Sequence, residues 1–203
     1  MKVLNLYAGI GGNRLLWKDV EVTAVEIKKD IAEVYADLFP NDNVIVADAH
    51  EFLLDNMNDF DFIWSSPPCP SHSRIRYEMG YLANRRFKKV KPIYPDMKLY
   101  EEIILLDKWF KGFYVIENTI PYYKPLIKGR IMAKHIWWSN IKFPDYKIKS
   151  RGHMGNVESL QKLKCINLDK YKIKEKRKLL RNCVEPNIAK HILDYLKKIN
   201  NNL

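Results

Sequence analysis

Short apolar runs alternate with mixed polar stretches along this chain. Val3–Tyr7 is apolar and β-prone, and Ala8-Gly9-Ile10-Gly11-Gly12 reads as a turn. Asn13–Lys18 predicts a short helix, Glu21–Glu26 a second strand, and Lys28–Leu38 an amphipathic helix that stops before Phe39-Pro40. Asn43–Ala47 predicts a third strand, His50–Met57 a helix, and Phe60–Trp64 a central, apolar fourth strand. Cys69–Asp96 shows little periodicity and reads as a long loop. Leu99, Ile103, Leu106 and Phe110 fall at helical spacing within Met97–Phe110. Phe113–Ile116 and Ile136–Ser139 predict two more strands. In Asn187–Ile199, Ile188, Ile192 and Leu196 form the stripe of a closing helix. Strands alternating with helices imply an α/β fold: a doubly wound, mainly parallel sheet covered on both faces.

At 203 residues and 47 % apolar content, the chain can bury one domain core with a small appendage. The formal net charge of +11 changes the picture more, because it points to a polyanionic partner such as nucleic acid. The charge is also segregated. From Arg74 to Lys91, seven Lys/Arg face one acid, Glu78. From Tyr146 to Arg181, twelve face Glu158, Asp169 and Glu175. Two basic segments on a slightly acidic body read as phosphate contacts. The three cysteines, Cys69, Cys165 and Cys183, form no C-x-x-C pair. Such a sparse set argues for a reducing compartment and against disulfides or a metal site. The N-terminus lacks a signal-peptide layout, and no apolar run approaches the ~20 residues that span a bilayer, so a cytoplasmic location without membrane association is expected.

Two pairs of residues carry candidate chemistry. Cys69 follows the fourth strand in Pro67-Pro68-Cys69, and Glu117-Asn118 follows the fifth. A thiol and a carboxyl at two strand exits can face one pocket. There the sulfur attacks an electron-poor ring while the acid polarises it. The glycine turn after the first strand lets a ligand approach the backbone. Glu26 and Asp48 close the second and third strands at the same edge, where they can accept from ribose hydroxyls and an adenine amino group. Two acids disfavour a phosphate-rich ligand there, so S-adenosylmethionine fits better than NAD or ATP.

With these elements placed, the chain resembles the DNA cytosine-5 methyltransferase family. The matching stretches are Asn5–Gly12, Val25-Glu26, Ala47-Asp48-Ala49, Ser65-Ser66-Pro67-Pro68-Cys69, Ile116-Glu117-Asn118-Thr119 and Arg181–Pro186, in the family's order. The resemblance implies the Rossmann-like fold of S-adenosylmethionine-dependent methyltransferases and a role for each matching residue. Cys69 attacks C6 of cytosine, and Glu117 contacts N3. Tyr7, Gly9, Ile10, Gly12, Glu26, Ile27, Asp48, Ala49 and Pro68 line the cofactor, and Asn182 and Val184 close its site. Duplex DNA is the implied partner, with the target cytosine flipped out of the stack. Ser73, Arg74, Arg85, Arg86, Lys88 and Lys89 are expected to hold the nucleic acid.

The chain departs from the family at Pro70 (usually Gln), at Ser65-Ser66 (usually Gly-Gly) and at Thr119 (usually Val). The Gln-x-Arg-x-Arg motif is absent; Lys134 or His135 is expected as a partial replacement, with Arg130 as the alternative. About 40 residues separate Asn140 from Arg181, where the family carries a much larger target-recognition domain. The expected organisation is a catalytic part over 1–140, a reduced recognition region over 141–181, and a C-terminal motif and helix over 182–203 that return to the catalytic part. Short or relaxed specificity, or a partner protein that supplies recognition, follows. Two alternatives stay open: an RNA (tRNA) cytosine methyltransferase, and a catalytically silent nucleic-acid-binding protein or partner subunit.

Overall fold

A computed structural model describes residues 1–74, 77–78, 92–147 and 155–200. Its elements are β1 (Lys2–Leu6), β2 (Glu21–Val25), α1 (Lys29–Leu38), β3 (Asn43–Ile45), α2 (Ala49–Asn56), β4 (Phe62–Ser65), α3 (Lys98–Trp109), β5 (Phe113–Thr119), β6 (Arg130–Met132), β7 (His135–Ser139), α4 (Val157–Lys164), α5 (Lys176–Asn182) and α6 (Pro186–Asn200). The strands form one sheet in the order β3-β2-β1-β4-β5-β7-β6. Neighbours from β3 to β5 are parallel, whereas β7 runs antiparallel to both β5 and β6. This mixed, mostly parallel seven-stranded sheet with helices on both faces is the doubly wound α/β architecture that the strand pattern implies.

Alternation along the strands divides the core into two layers. Val3, Val22, Phe62, Trp64 and Val115 point to one face, where Trp17 and the α6 stripe Ile188, Ile192, Leu193 and Leu196 cover them. Leu4, Leu6, Val25, Ile63 and Ile116 point to the other, under Leu53 of α2 and Leu99, Ile103 and Leu106 of α3. Both faces are therefore buried, which is why these strands are nearly continuous apolar runs.

Four elements differ from expectation. The helix expected over Asn13–Lys18 is a single 3-10 turn, Arg14–Leu16. Glu117 and Asn118 lie inside β5, because pairing with β7 carries the strand past its apolar part to Thr119. The three-residue strand β6 is too short to show a period. The basic region after 155 folds into α4 and α5, with Leu160, Ile166, Leu168 and Leu180 packed on Ile31 and Val34 of α1. Both helices are short, and each offers only one buried apolar residue, so neither stands out by periodicity. No helix among the described residues is long and apolar enough to cross a membrane.

Candidate active site

The strand order reverses at β1, with β2 and β3 added on one side of it and β4 and β5 on the other. Open α/β sheets bind ligands beyond the carboxyl ends of strands at such a point. There β1 runs into the glycine turn, and β4 runs into Pro67-Pro68-Cys69.

The turn is backbone-rich and tightly braced. Gly11 has φ +77, and a Cβ on it would come within 2.2 Å of the Phe39 ring, so only glycine fits. A Cβ on Gly12 would come within 2.5 Å of the Cys183 Cβ, so Gly12 admits the segment that follows α5. Gly9 has φ +55 and open space where its Cβ would stand. Glu26 accepts from the Gly9 amide through Oε2 and from the Lys28 amide through Oε1, both at 3.0 Å. Asp48 caps α2, its Oδ1 accepting from the His50 and Glu51 amides. Its Oδ2 lies 3.6 Å from Lys98 Nζ. Ile27 and Pro68 are exposed beside this edge and Ala49 is buried. The Ile10 side chain turns into the cluster with α1, α4 and α5, and Val184 joins the core over β1. Those two side chains are therefore directed into the core, which leaves only their backbone at the turn. Asn182 is exposed at the end of α5.

A buried carboxylate that the sequence reading missed lies under this edge. Glu102 on α3 is fully buried. It accepts from the Tyr7 hydroxyl, from Ser65 Oγ at 2.8 Å, and faces His50 Nδ1 at 3.2 Å. Burial and then the Glu102 charge push the Tyr7 phenol far above its ordinary range. The hydrogen bond to Glu102 raises the His50 pKa. One signal was available. Glu102 lies three residues after Leu99 and four before Leu106, on the apolar stripe, where an acid needs a partner.

At the catalytic end, Asn118 Nδ2 donates to the Pro67 carbonyl at 3.0 Å and so ties β5 to the turn that carries Cys69. The Cys69 carbonyl accepts from the His72 and Ser73 amides, which closes the turn. Cys69 is half-buried and Glu117 buried. Burial, followed by the Glu117 carboxylate, raises the Cys69 thiol above its usual value. Both effects favour the protonated thiol over the thiolate.

The three expected substitutes for the missing arginine motif separate clearly. Arg130 is engaged with Asp145 and the Phe143 carbonyl. Lys134 is exposed. His135 reaches the site, with Nε2 3.3 Å from Glu117 Oε1. Of the expected nucleic-acid contacts, Ser73 forms a bridge with Pro121 and Arg74 is exposed. Arg85, Arg86, Lys88 and Lys89 lie outside the described residues. In the second basic segment, several cations pair within the protein: Lys162 with Glu158, Lys170 with Asp37, Lys178 with Glu175, and Lys164 with Glu185. Lys164 is fully buried and also donates to the Cys183 carbonyl at 2.9 Å. It is an internal tie, so not all of that charge is available to phosphates.

Residues 1–94 match the family model of the C-5 cytosine-specific DNA methylases. The matched residues include the glycine turn, Glu26, Asp48 and Cys69, whereas Glu117 and the 182–184 segment lie beyond them. No curated protein matches the chain by sequence. Among solved structures, a DNMT2 mutant from Spodoptera frugiperda is 25 % identical, with a TM-score of 0.39, over 58 % of this chain and 35 % of that one. A putative DNA modification methyltransferase encoded within a prophage of E. coli is 22 % identical, with a TM-score of 0.38, over 61 % and 33 %. The putative methyltransferase yhhF from Escherichia coli is 15 % identical, with a TM-score of 0.43, over 68 % and 73 %. The chain thus spans about a third of the length of the first two.

Proposed function

We propose that the protein transfers a methyl group from S-adenosylmethionine to C5 of cytosine in DNA, through a covalent bond between Cys69 and C6. One observation carries this reading: Asn118 ties β5 to the Pro67 turn, so the Glu117 carboxylate stands near enough to raise the Cys69 thiol, beside the glycine turn. The residues present fit the cofactor. Gly9 leaves open space at the turn, Asp48 Oδ2 is not used by the helix cap, and the paired acids suit a ligand without phosphate. When bound, the cofactor supplies an electrophilic methyl group on a positively charged sulfur.

The chain's residues do the rest. Glu26 and Asp48 orient the adenosine half. The Cys69 sulfur forms a bond to C6 as its proton passes through the Glu117 carboxylate to N3 of the base. That leaves C5 nucleophilic. After methylation, the C5 proton leaves to solvent, the S–C6 bond breaks as the N3 proton returns over the Glu117 carboxylate to the Cys69 sulfur, and the aromatic ring is restored. Addition to an unactivated pyrimidine is slow without this paired proton movement. A cytosine in duplex DNA has to leave the stack to reach a half-buried thiol.

The region over 141–181 then serves as a reduced recognition element. Phosphates supply affinity, whereas base identity requires positioned side chains at a groove edge. We expect methylation at a motif of about two to four bases, each good bidentate contact discriminating by ~1–3 kcal/mol, or efficient methylation only with a partner protein.

The test uses the purified chain, S-adenosylmethionine, and matched duplex DNA and tRNA substrates that contain 5-fluorocytosine. The reading expects a covalent adduct with DNA that Cys69→Ser abolishes. An adduct with tRNA alone would move the substrate to RNA. Cofactor binding without any adduct would leave a silent binding protein. Full methyl transfer by Cys69→Ser would remove the sulfur from the mechanism.

A further inference from the structure

The β6–β7 hairpin is built at a cost. Its two central residues, Ala133 (φ 52) and Lys134 (φ 68), both take left-handed backbone angles, yet neither is glycine or asparagine. Two-residue hairpin turns of this hand favour Asn-Gly, because side chains crowd the backbone there. Strain of this kind persists where the surroundings fix it, and its place in a fold suggests a use. Here the next residue is His135. Its Nδ1 faces the Ala133 carbonyl at 3.2 Å, and its Nε2 faces Glu117 Oε1 at 3.3 Å. The turn thus delivers a carbonyl to one ring nitrogen and aims the other at the acid. The ring also packs edge-on against Trp137, with centroids 6.2 Å apart, which limits its rotation.

We propose that His135 is a positioning residue for Glu117, standing where the cytosine-5 methyltransferase pattern lacks its arginine motif. This inference rests on the methyl-transfer reading above. A carbonyl can only accept, so the contact with Ala133 keeps a proton on Nδ1. In its imidazolium form the ring also donates from Nε2 to Glu117 Oε1. Oε1 is then held, and Oε2 is the oxygen left to serve the base. As the S–C6 bond forms, the thiol S–H bond breaks, and its proton passes over Oε2 to make the N3–H bond. Glu117 begins and ends the step as a carboxylate, and His135 neither gives nor takes a proton in it, so charge and protons balance. The ring next to Oε1 keeps that carboxylate in one rotamer during the relay. The geometry also explains why Arg130, bound to Asp145 and Phe143, does not take this place.

Two substitutions test the proposal. His135→Leu removes both ring nitrogens at similar volume. His135→Gln restores one donor that can reach Oε1. The readouts are kcat and KM for DNA, the rate of adduct formation with 5-fluorocytosine duplex, cofactor binding by calorimetry, and melting temperature. The proposal expects the Leu variant to lose roughly tenfold or more in kcat, a part of the 10²–10⁴-fold typical of proton transfer. KM for DNA and cofactor affinity should stay close to wild type, and the Gln variant should recover most of the loss. A Leu variant with wild-type kcat would overturn the proposal. So would equal losses in both variants accompanied by lower melting temperature and weaker cofactor binding, which mark a structural role. A wild-type chain that forms no adduct instead defeats the methyl-transfer reading itself, and is distinguished by that control.

Discussion

Replacing Lys164 by Met should destabilise the protein and loosen its cofactor site together. Lys164 lies on α4 and has no exposed surface. Its ammonium donates to the Cys183 carbonyl at 2.9 Å and lies 3.3 Å from Glu185 Oε2, whose side chain is 12 % exposed. Met fills the volume of the aliphatic stem, so little cavity forms. The carbonyl loses a charged donor, worth ~1.5–3 kcal/mol. Glu185 becomes an unpartnered, mostly buried carboxylate, and breaking a buried pair in this way costs about 3–5 kcal/mol. The two figures overlap, and residual water access to Glu185 favours the lower end, so we expect a net loss of ~2–4 kcal/mol. For a chain of this length that lowers the melting temperature by about 4–16 °C. Removing both charges with Lys164→Met/Glu185→Leu should cost less than the sum of the single variants by ~1 kcal/mol or more, because neither charge is then stranded. Cys183 also packs on Gly12 of the cofactor turn, so calorimetry should show weaker S-adenosylmethionine binding in the single variant. A Lys164→Met protein melting within about 2 °C of wild type would refute the reasoning and return Lys164 to the surface as an ordinary basic residue.

Three further outcomes are expected. Asp48→Ala and Glu26→Ala should each raise the cofactor dissociation constant by about tenfold, equivalent to ~1.4 kcal/mol, in calorimetry; unchanged affinity in both places the cofactor elsewhere. Glu117→Gln should speed alkylation of Cys69 by iodoacetamide at neutral pH, followed by mass spectrometry of its peptide, because it removes the negative charge that raises the thiol; methyl transfer should fall in the same variant, and slower alkylation would contradict the pairing. His50 has a folded-state pKa raised above 6.5 by Glu102, so its stabilising contribution is complete below the unfolded value and is lost as pH rises through the folded one. Denaturation curves from about pH 6 to 8 should therefore show wild type losing stability relative to His50→Gln as pH rises, and parallel curves would rule this out.

The sheet was legible because its strands are buried on both faces and so write themselves as unbroken apolar runs. Phe62-Ile63-Trp64 is the clearest, sending alternate residues into two separate layers. The glycine turn, Glu26, Asp48 and Cys69 were legible because each sits at a strand end, where residue type changes abruptly. What stayed hidden depends on tertiary partners. Glu117 looked like a residue beyond the strand, because only the pairing with Trp137 on β7 keeps it inside. Lys164 looked like one more phosphate contact, because nothing local says that Glu185, twenty-one positions on, will meet it in the interior. His135 stood among three interchangeable cations until the strained turn at Ala133 and Lys134 showed which one points at the acid.

The cover that α6 places over the first strand has a consequence for biosynthesis. Ile188, Ile192 and Leu196, which shield the same face of the sheet as Val3, leave the ribosome roughly 185 residues after it, on the order of 10–40 s at ordinary elongation rates. Throughout that interval Val3, Val22, Phe62 and Trp64 lack their final lid. The nascent chain presents an apolar sheet face of the kind that chaperones bind and that drives aggregation when synthesis is fast. The same order delays the 182–184 segment, whose Cys183 packs on Gly12 of the glycine turn. That turn gains its Cys183 contact only after this interval, and slowing translation across α5 and α6 should raise the soluble yield more than slowing it across β1 and β2.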